Sequence, residues 1–170
     1  MIMATDTPAG QALKIKERAV MERVRLAAHC DVCAETEKSA PVDAVMVRGG
    51  AVVVVGEVKV RTFTHDELKR YGSLMVSTSK IRAGRKAASA LRVPYMVWVA
   101  IKPNMLAKKI EQMDIAQFEL VNSSGEYEPT ICDPVDGQLI SEVRVTQASI
   151  NGGEKIDEVT LVPLELMRMI

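Results

Sequence analysis

The stretch GAVVVVGEVKVR, residues 50–61, constrains what this chain can fold into more than any other. Four successive valines suit a strand buried on both faces, in the middle of a sheet rather than at its edge. Yet Glu57 and Lys59 follow on the same run, two residues apart and therefore on one side of the strand. A charge in a core costs several kcal/mol unless it is paired, hydrated or bound to a metal. Whatever surrounds this strand must accommodate an acid and a base together.

The neighbouring segments say what that could be. VDAVMV, residues 42–47, reads as a second strand, and Gly49-Gly50 between the two is a hairpin turn signal. With a three-residue loop, Gly49-Gly50-Ala51, Asp43 falls opposite Glu57 and the two side chains share a face. A two-residue loop would send them to opposite faces. In the first register two carboxylates and an ammonium converge at one end of a hairpin. Carboxylates that close repel, and one pKa rises unless a cation lies between them. A hard divalent ion with oxygen ligands meets that need, and the lysine can then position a water or offset developing negative charge.

Further along, the pattern alternates between helices and strands. Residues from about Gly10 to His29 are helical, with Leu13, Val20, Val24 and Ala27 or Ala28 on one stripe. Cys30 to Ser39 is polar and loop-like. Thr64 and Glu67 form a capping-box signature that opens helical residues running, with a break near Gly72-Ser73, to about Leu91. YMVWVAI after Pro94 is a buried strand, MLAKKIEQM a short helix, and FELV, ISEVRVTQ and EVTLVPL are further strands. The expected class is α/β (α+β), a central mixed sheet flanked by helices, with extra C-terminal strands.

At this point the chain resembles the PD-(D/E)xK nuclease superfamily. Pro41-Val42-Asp43, thirteen intervening residues, then Glu57-Val58-Lys59 match its motif, within an order of elements αβββαβ over about residues 10–101. The resemblance implies a restriction-endonuclease-like core and Mg²⁺ or Mn²⁺ held by Asp43, Glu57 and the Val58 carbonyl, with Lys59 as the catalytic lysine. It also implies a glutamate on the first helix. Glu17 lies on the apolar stripe and fits that place, whereas Glu22, between Arg18 and Arg25, suits solvent. The RecB-like and phage exonuclease branches carry Gln-x-x-x-Tyr on the next helix, and here Glu67 and Tyr71 stand at those positions.

Other features admit plainer readings. Glu-x-Lys by itself occurs by chance in about half of chains this size at average composition. Cys30 and Cys33, with His29 beside them, invite a zinc site, but a structural site needs four ligands and the chain has no second Cys-x-x-Cys or His-x-x-x-His, with Cys132 and His65 as possible recruits. They read as semi-buried thiols at a helix end. Tyr71 and Trp98 read as core aromatics. Lys69, Arg70, Lys80, Arg82, Arg85 and Lys86 form a basic group that could contact phosphates or be a solvated face. Gly84 permits close approach of a ligand backbone or of a packed neighbour. Cys132-Asp133-Pro134-Val135-Asp136 repeats the Pro-Val-Asp pattern without a following Glu-x-Lys and reads as a turn.

Composition narrows the partners. Net charge is zero, from 22 basic and 22 acidic residues, so DNA would have to be held by a local patch. Aromatics are 4%, too few for a platform on which single-stranded bases stack. Three cysteines make no disulfide framework, no apolar run is long enough to span a membrane, and the N-terminus lacks a signal-peptide pattern, so the cytoplasm is the expected compartment. One domain is expected over residues 1–170, with residues 102–170 as an extension. The expected function is metal-dependent hydrolysis of DNA phosphodiester bonds, of phage, repair or junction-related type. The alternative is a nuclease-fold module that binds DNA or protein without cutting, and a homodimer or higher oligomer is compatible with either.

Overall fold

The computed structural model describes residues 7–37, 40–128, 142–148 and 154–170, the backbone alone for 142–148 and 154–157. Helix α1 (Pro8–Ala27) begins where Thr7 accepts a hydrogen bond from the Gly10 N–H at 3.1 Å and proline occupies the first turn. It buries Val20, Met21 and Val24. Strands β1 (Val32–Glu35), β2 (Ala44–Arg48) and β3 (Ala51–Thr64) follow. Next come helix α2 (His65–Tyr71), strand β4 (Ser73–Ser77), helix α3 (Thr78–Leu91) and strand β5 (Tyr95–Lys102). Strands β6 (Asp114–Val121), β7 (Glu142–Ala148), β8 (Glu154–Pro163) and β9 (Met167–Met169) complete the described elements.

The main sheet has the order β1-β2-β3-β5-β6-β9, and β4-β8-β7 form a smaller antiparallel sheet. The valine-rich strand lies inside the main sheet as its sequence requires, antiparallel to β2 and parallel to β5. Its two faces serve two cores. Val55 joins Leu68, Ile81, Tyr95, Val97 and Val99 against α2 and α3. Val58 joins Val20, Val24, Met46, Trp98 and Ala100 against α1. Because side chains alternate, Glu57 falls on the α3 face, where Val97 is its register partner on β5.

The hairpin reaches the expected register by another route. Its loop has two residues, not three: Arg48 pairs with Ala51, and Gly49 and Gly50 take φ of +59° and +78° as a tight turn demands. Alone, that turn would put Asp43 and Glu57 on opposite faces. A bulge at Val53 restores them, because Val47 pairs with Val52 but Met46 pairs with Val54. Beyond it Ala44 pairs with Gly56, so Asp43 comes level with Glu57. Gly56 is required there, since a Cβ would come within 2.4 Å of the Met96 carbonyl oxygen and 2.5 Å of the Trp98 ring.

Three other expectations change. The segment expected to be a loop contains β1, an edge strand paired with β2. The break near Gly72 is a whole strand, β4, with Leu74 and Val76 buried and Met75 exposed, paired with β8. Residues 105–113 hold only a single 3₁₀ turn at Ile110–Gln112, because the Gln112 side chain accepts the Lys108 and Lys109 N–H groups at 3.0 Å each. Arg23 also takes the carbonyls of Ile110 and Met113 at 2.8 and 2.6 Å. Cys132 and the repeated Pro-Val-Asp lie outside the described residues. No described helix is long and apolar enough to cross a membrane.

Candidate active site

Asp43 stands just before β2, and its N–H donates to the Gly56 carbonyl at 3.0 Å. Its carboxylate in turn accepts the Val58 N–H through Oδ2 at 3.2 Å, which fixes its direction toward β3. Glu57 sits beside it with no exposed surface. Neither Glu57 oxygen accepts a hydrogen bond from a described residue. Two ammonium groups face the pair. Lys59 Nζ is 3.5 Å from Glu57 Oε2, and Lys80 Nζ is 3.4 Å from Glu57 Oε1 and 3.6 Å from Asp43 Oδ1.

The two acids titrate apart. Burial, and then the adjacent Asp43, push the Glu57 carboxyl up to about 8. Burial acts on Asp43 in the same direction, but Glu57, the two lysines and the Val58 N–H together hold it below the ordinary aspartate range. Between two carboxylates there is no donor unless one keeps its proton, and the opposite shifts mark Glu57 as the acid that holds its proton longer as pH rises. A hard divalent cation would relieve the same conflict without that proton, so a buried glutamate that accepts no hydrogen bond from a described residue, beside an oriented aspartate, fits such an ion. Among the described residues no three His, Cys, Asp or Glu side chains cluster at ligating distance.

Glu17 comes from α1, largely covered, with Lys14 at 3.7 Å. Burial and then the charge of Asp43 raise its carboxyl, so Glu17 lies within electrostatic reach of Asp43. Glu22 is exposed and ion-paired to Arg25 at 2.6 Å, as its place on the helix suggests. Glu67 is occupied locally: it accepts the Thr64 N–H at 2.7 Å while Thr64 Oγ1 accepts the Glu67 N–H, a complete capping box. Tyr71, expected in the core, is 62% exposed and meets Phe63 edge to face at 5.8 Å. It ends a seven-residue helix that buries only Leu68. Trp98 is buried as expected, its Nε1 donating to Gln117 Oε1 at 2.9 Å.

The basic group divides. Lys69, Arg70, Arg82 and Lys86 are exposed. Arg85 is tied down, donating to the Gly125 carbonyl at 3.0 Å and lying 4.3 Å over the Tyr127 ring. Lys80 leaves the group altogether for the acid pair. Three residues near the site were not singled out in the sequence. Arg61, two residues beyond Lys59, is a largely buried guanidinium lowered by burial and opposed by the charge of Glu17. Glu35 on β1 binds Arg18 at 2.6 Å and Lys14 at 3.0 Å. Tyr95 buries its hydroxyl without a described partner, its ring filling the space over Gly84, where a Cβ would come within 2.3 Å. That contact gives Gly84 a packing role. Glu57-Lys59-Arg61 alternation could have revealed Arg61, whereas Glu35 and Tyr95 carry no local signal. Cys30 is buried and Cys33 half-buried, its thiol pushed up to about 11 by burial and by Cys30.

A family model described as "Phage putative PDDEXK endonuclease" matches residues 7–145. The chain belongs to that family. No curated protein and no solved structure matches it. The family's span takes in α1 through β6, hence every residue around the acid pair, and part of β7. Its mixed sheet between α1 on one face and α2 and α3 on the other is the restriction-endonuclease-like arrangement.

Proposed function

We propose that this member of the PDDEXK endonuclease family is a Mg²⁺- or Mn²⁺-dependent nuclease that hydrolyses DNA phosphodiester bonds. The observation that carries the reading is Glu57: fully buried, its oxygens accepting no hydrogen bond from a described residue though two ammonium groups face them, and level with Asp43 at the end of the hairpin. Asp43, Glu57 and the Val58 carbonyl would hold the ion, which when bound supplies Lewis-acid stabilisation of charge on the phosphate oxygens.

The remaining work falls to the chain's own groups. Asp43 is kept in place by the Val58 N–H, so its carboxylate need not reorganise. The Lys59 ammonium, on a side chain 22% exposed, stays beside Glu57 and can reach solvent. There it orients the attacking water and offsets negative charge as the phosphorus gains its fifth oxygen. Glu17 adds a third carboxylate from α1 that could serve a second ion. Lys69, Arg70, Arg82 and Lys86 provide the phosphate contacts that a chain of zero net charge must concentrate in one place.

The experiment is incubation of the protein with linear, supercoiled and branched DNA in Mn²⁺, in Mg²⁺ and in chelator. Cleavage with either ion and none in chelator is the expected result. DNA binding without cleavage under every condition would favour the non-cutting module instead.

A further inference from the structure

Lys80 is set apart from its basic neighbours by where α3 begins. Strand β4 ends at Ser77 and the helix starts at Thr78, so Lys80 lies in the first helical turn. That turn is pinned to the smaller sheet: Thr78 Oγ1 and Thr160 Oγ1, both buried, are 2.9 Å apart. Ile81, fully buried, locks the same turn onto the main core. With the turn fixed, the Lys80 side chain runs back toward the hairpin end and meets the acid pair.

The two lysines treat that pair differently. Lys59 is in ion-pair contact with one oxygen of Glu57, and only its charge acts on Asp43. Lys80 spans one oxygen from each acid, Asp43 Oδ1 and Glu57 Oε1. These are the two carboxylates that would hold a divalent ion. Lys80 also keeps 40% of its side chain exposed, on a flexible four-carbon stem, so it can withdraw to solvent without opening the core. A buried carboxylate pair needs a positive charge, and two different cations can supply it.

We propose that Lys80 is a displaceable counter-ion: it holds Asp43 and Glu57 together in the metal-free protein and competes with the divalent ion for their oxygens. The inference rests on the metal-dependent reading of the same site. Competition of this kind is a coupling between two occupants, and such couplings typically change affinity by about 5- to 150-fold. Removing the lysine should therefore tighten binding of the ion while weakening the protein that lacks it.

The test is calorimetric titration of Mn²⁺, without DNA, into wild type, Lys80→Met and Lys80→Ala, with Lys86→Met as a control of equal charge change on the exposed side of α3. Thermal melts of the metal-free proteins accompany it. The expected result is Mn²⁺ affinity at least about fivefold tighter for both Lys80 variants and changed less than about twofold for Lys86→Met. The metal-free Lys80 variants should melt below wild type. Equal or weaker Mn²⁺ binding by both Lys80 variants overturns the proposal, as does equal tightening by Lys86→Met. Wild-type binding that disappears in Glu57→Ala would uphold the metal reading whatever Lys80 does. No Mn²⁺ binding by any of the proteins would bring down both.

Discussion

Glu57 is a carboxyl group with no exposed surface, raised to about 8 by burial and by the neighbouring Asp43, and faced by Lys59 and Lys80. In the unfolded chain it titrates near 4.5, so between those values the folded protein binds the extra proton. Stability from this group is then full below about 4.5 and is lost as pH rises toward about 8. Glu17, also raised, acts in the same direction, whereas the lowered Asp43 matters only below its ordinary range. The melting temperature of metal-free protein should accordingly fall from pH 5 to pH 8, and Glu57→Gln should flatten much of that fall. An unchanged slope in the variant would mean that Glu57 is not the buried acid. At this scale the meeting of Asp43, Glu57 and Lys59 was legible from side-chain alternation along β3 and from the motif shared with the nuclease superfamily, and the partial burial of Glu17 from its place on the α1 stripe. Lys80 was not, because only the packing of α3 against two sheets distinguishes it from Arg82 and Lys86 on the same helix.

A single extra residue decides whether the hairpin carries a site. The Gly49-Gly50 turn gives one register and the bulge at Val53 converts it to the other. Deleting Val53 should leave Asp43 and Glu57 on opposite faces and abolish the rise in melting temperature that Mn²⁺ produces. Deleting Val53 while adding one glycine to the turn recreates the longer loop and should bring the Mn²⁺ response back. Loss in both variants would show that register is not what assembles the pair. The sequence leaves the loop length open, because four valines in a row look alike and nothing local marks which of them bulges. The long elements were legible from periodicity and caps: α1, β3, β5 and the start of α2. β1 and β4 were not, because each is short and bounded by polar residues. Their strand identity comes from partners, β2 for the one and β8 for the other.

Across the whole molecule, positive and negative charges balance, so affinity for a polyanion has to come from where the charges stand. Lys69 and Arg70 close α2, and Arg82 and Lys86 lie one turn apart on α3, all exposed. Arg85 is excluded because the Gly125 carbonyl and the Tyr127 ring already hold it. Neutralising Lys69, Arg70, Arg82 and Lys86 together should weaken DNA binding and flatten its dependence on salt, by about 0.9 in slope for each phosphate that the protein no longer neutralises. An unchanged slope would make this a solvated face. The central claim, however, is chemical, and one time course tests it most directly. Wild type, Glu57→Ala and Lys59→Ala are each mixed with DNA in excess Mn²⁺, and cleavage is followed in a single turnover beside calorimetric Mn²⁺ binding. The account predicts cleavage by wild type, loss of both binding and cleavage in Glu57→Ala, and retained binding with cleavage slowed at least about 100-fold in Lys59→Ala. Wild type that binds no Mn²⁺ and cuts no DNA, or a Glu57→Ala variant that cuts as fast as wild type, would contradict it.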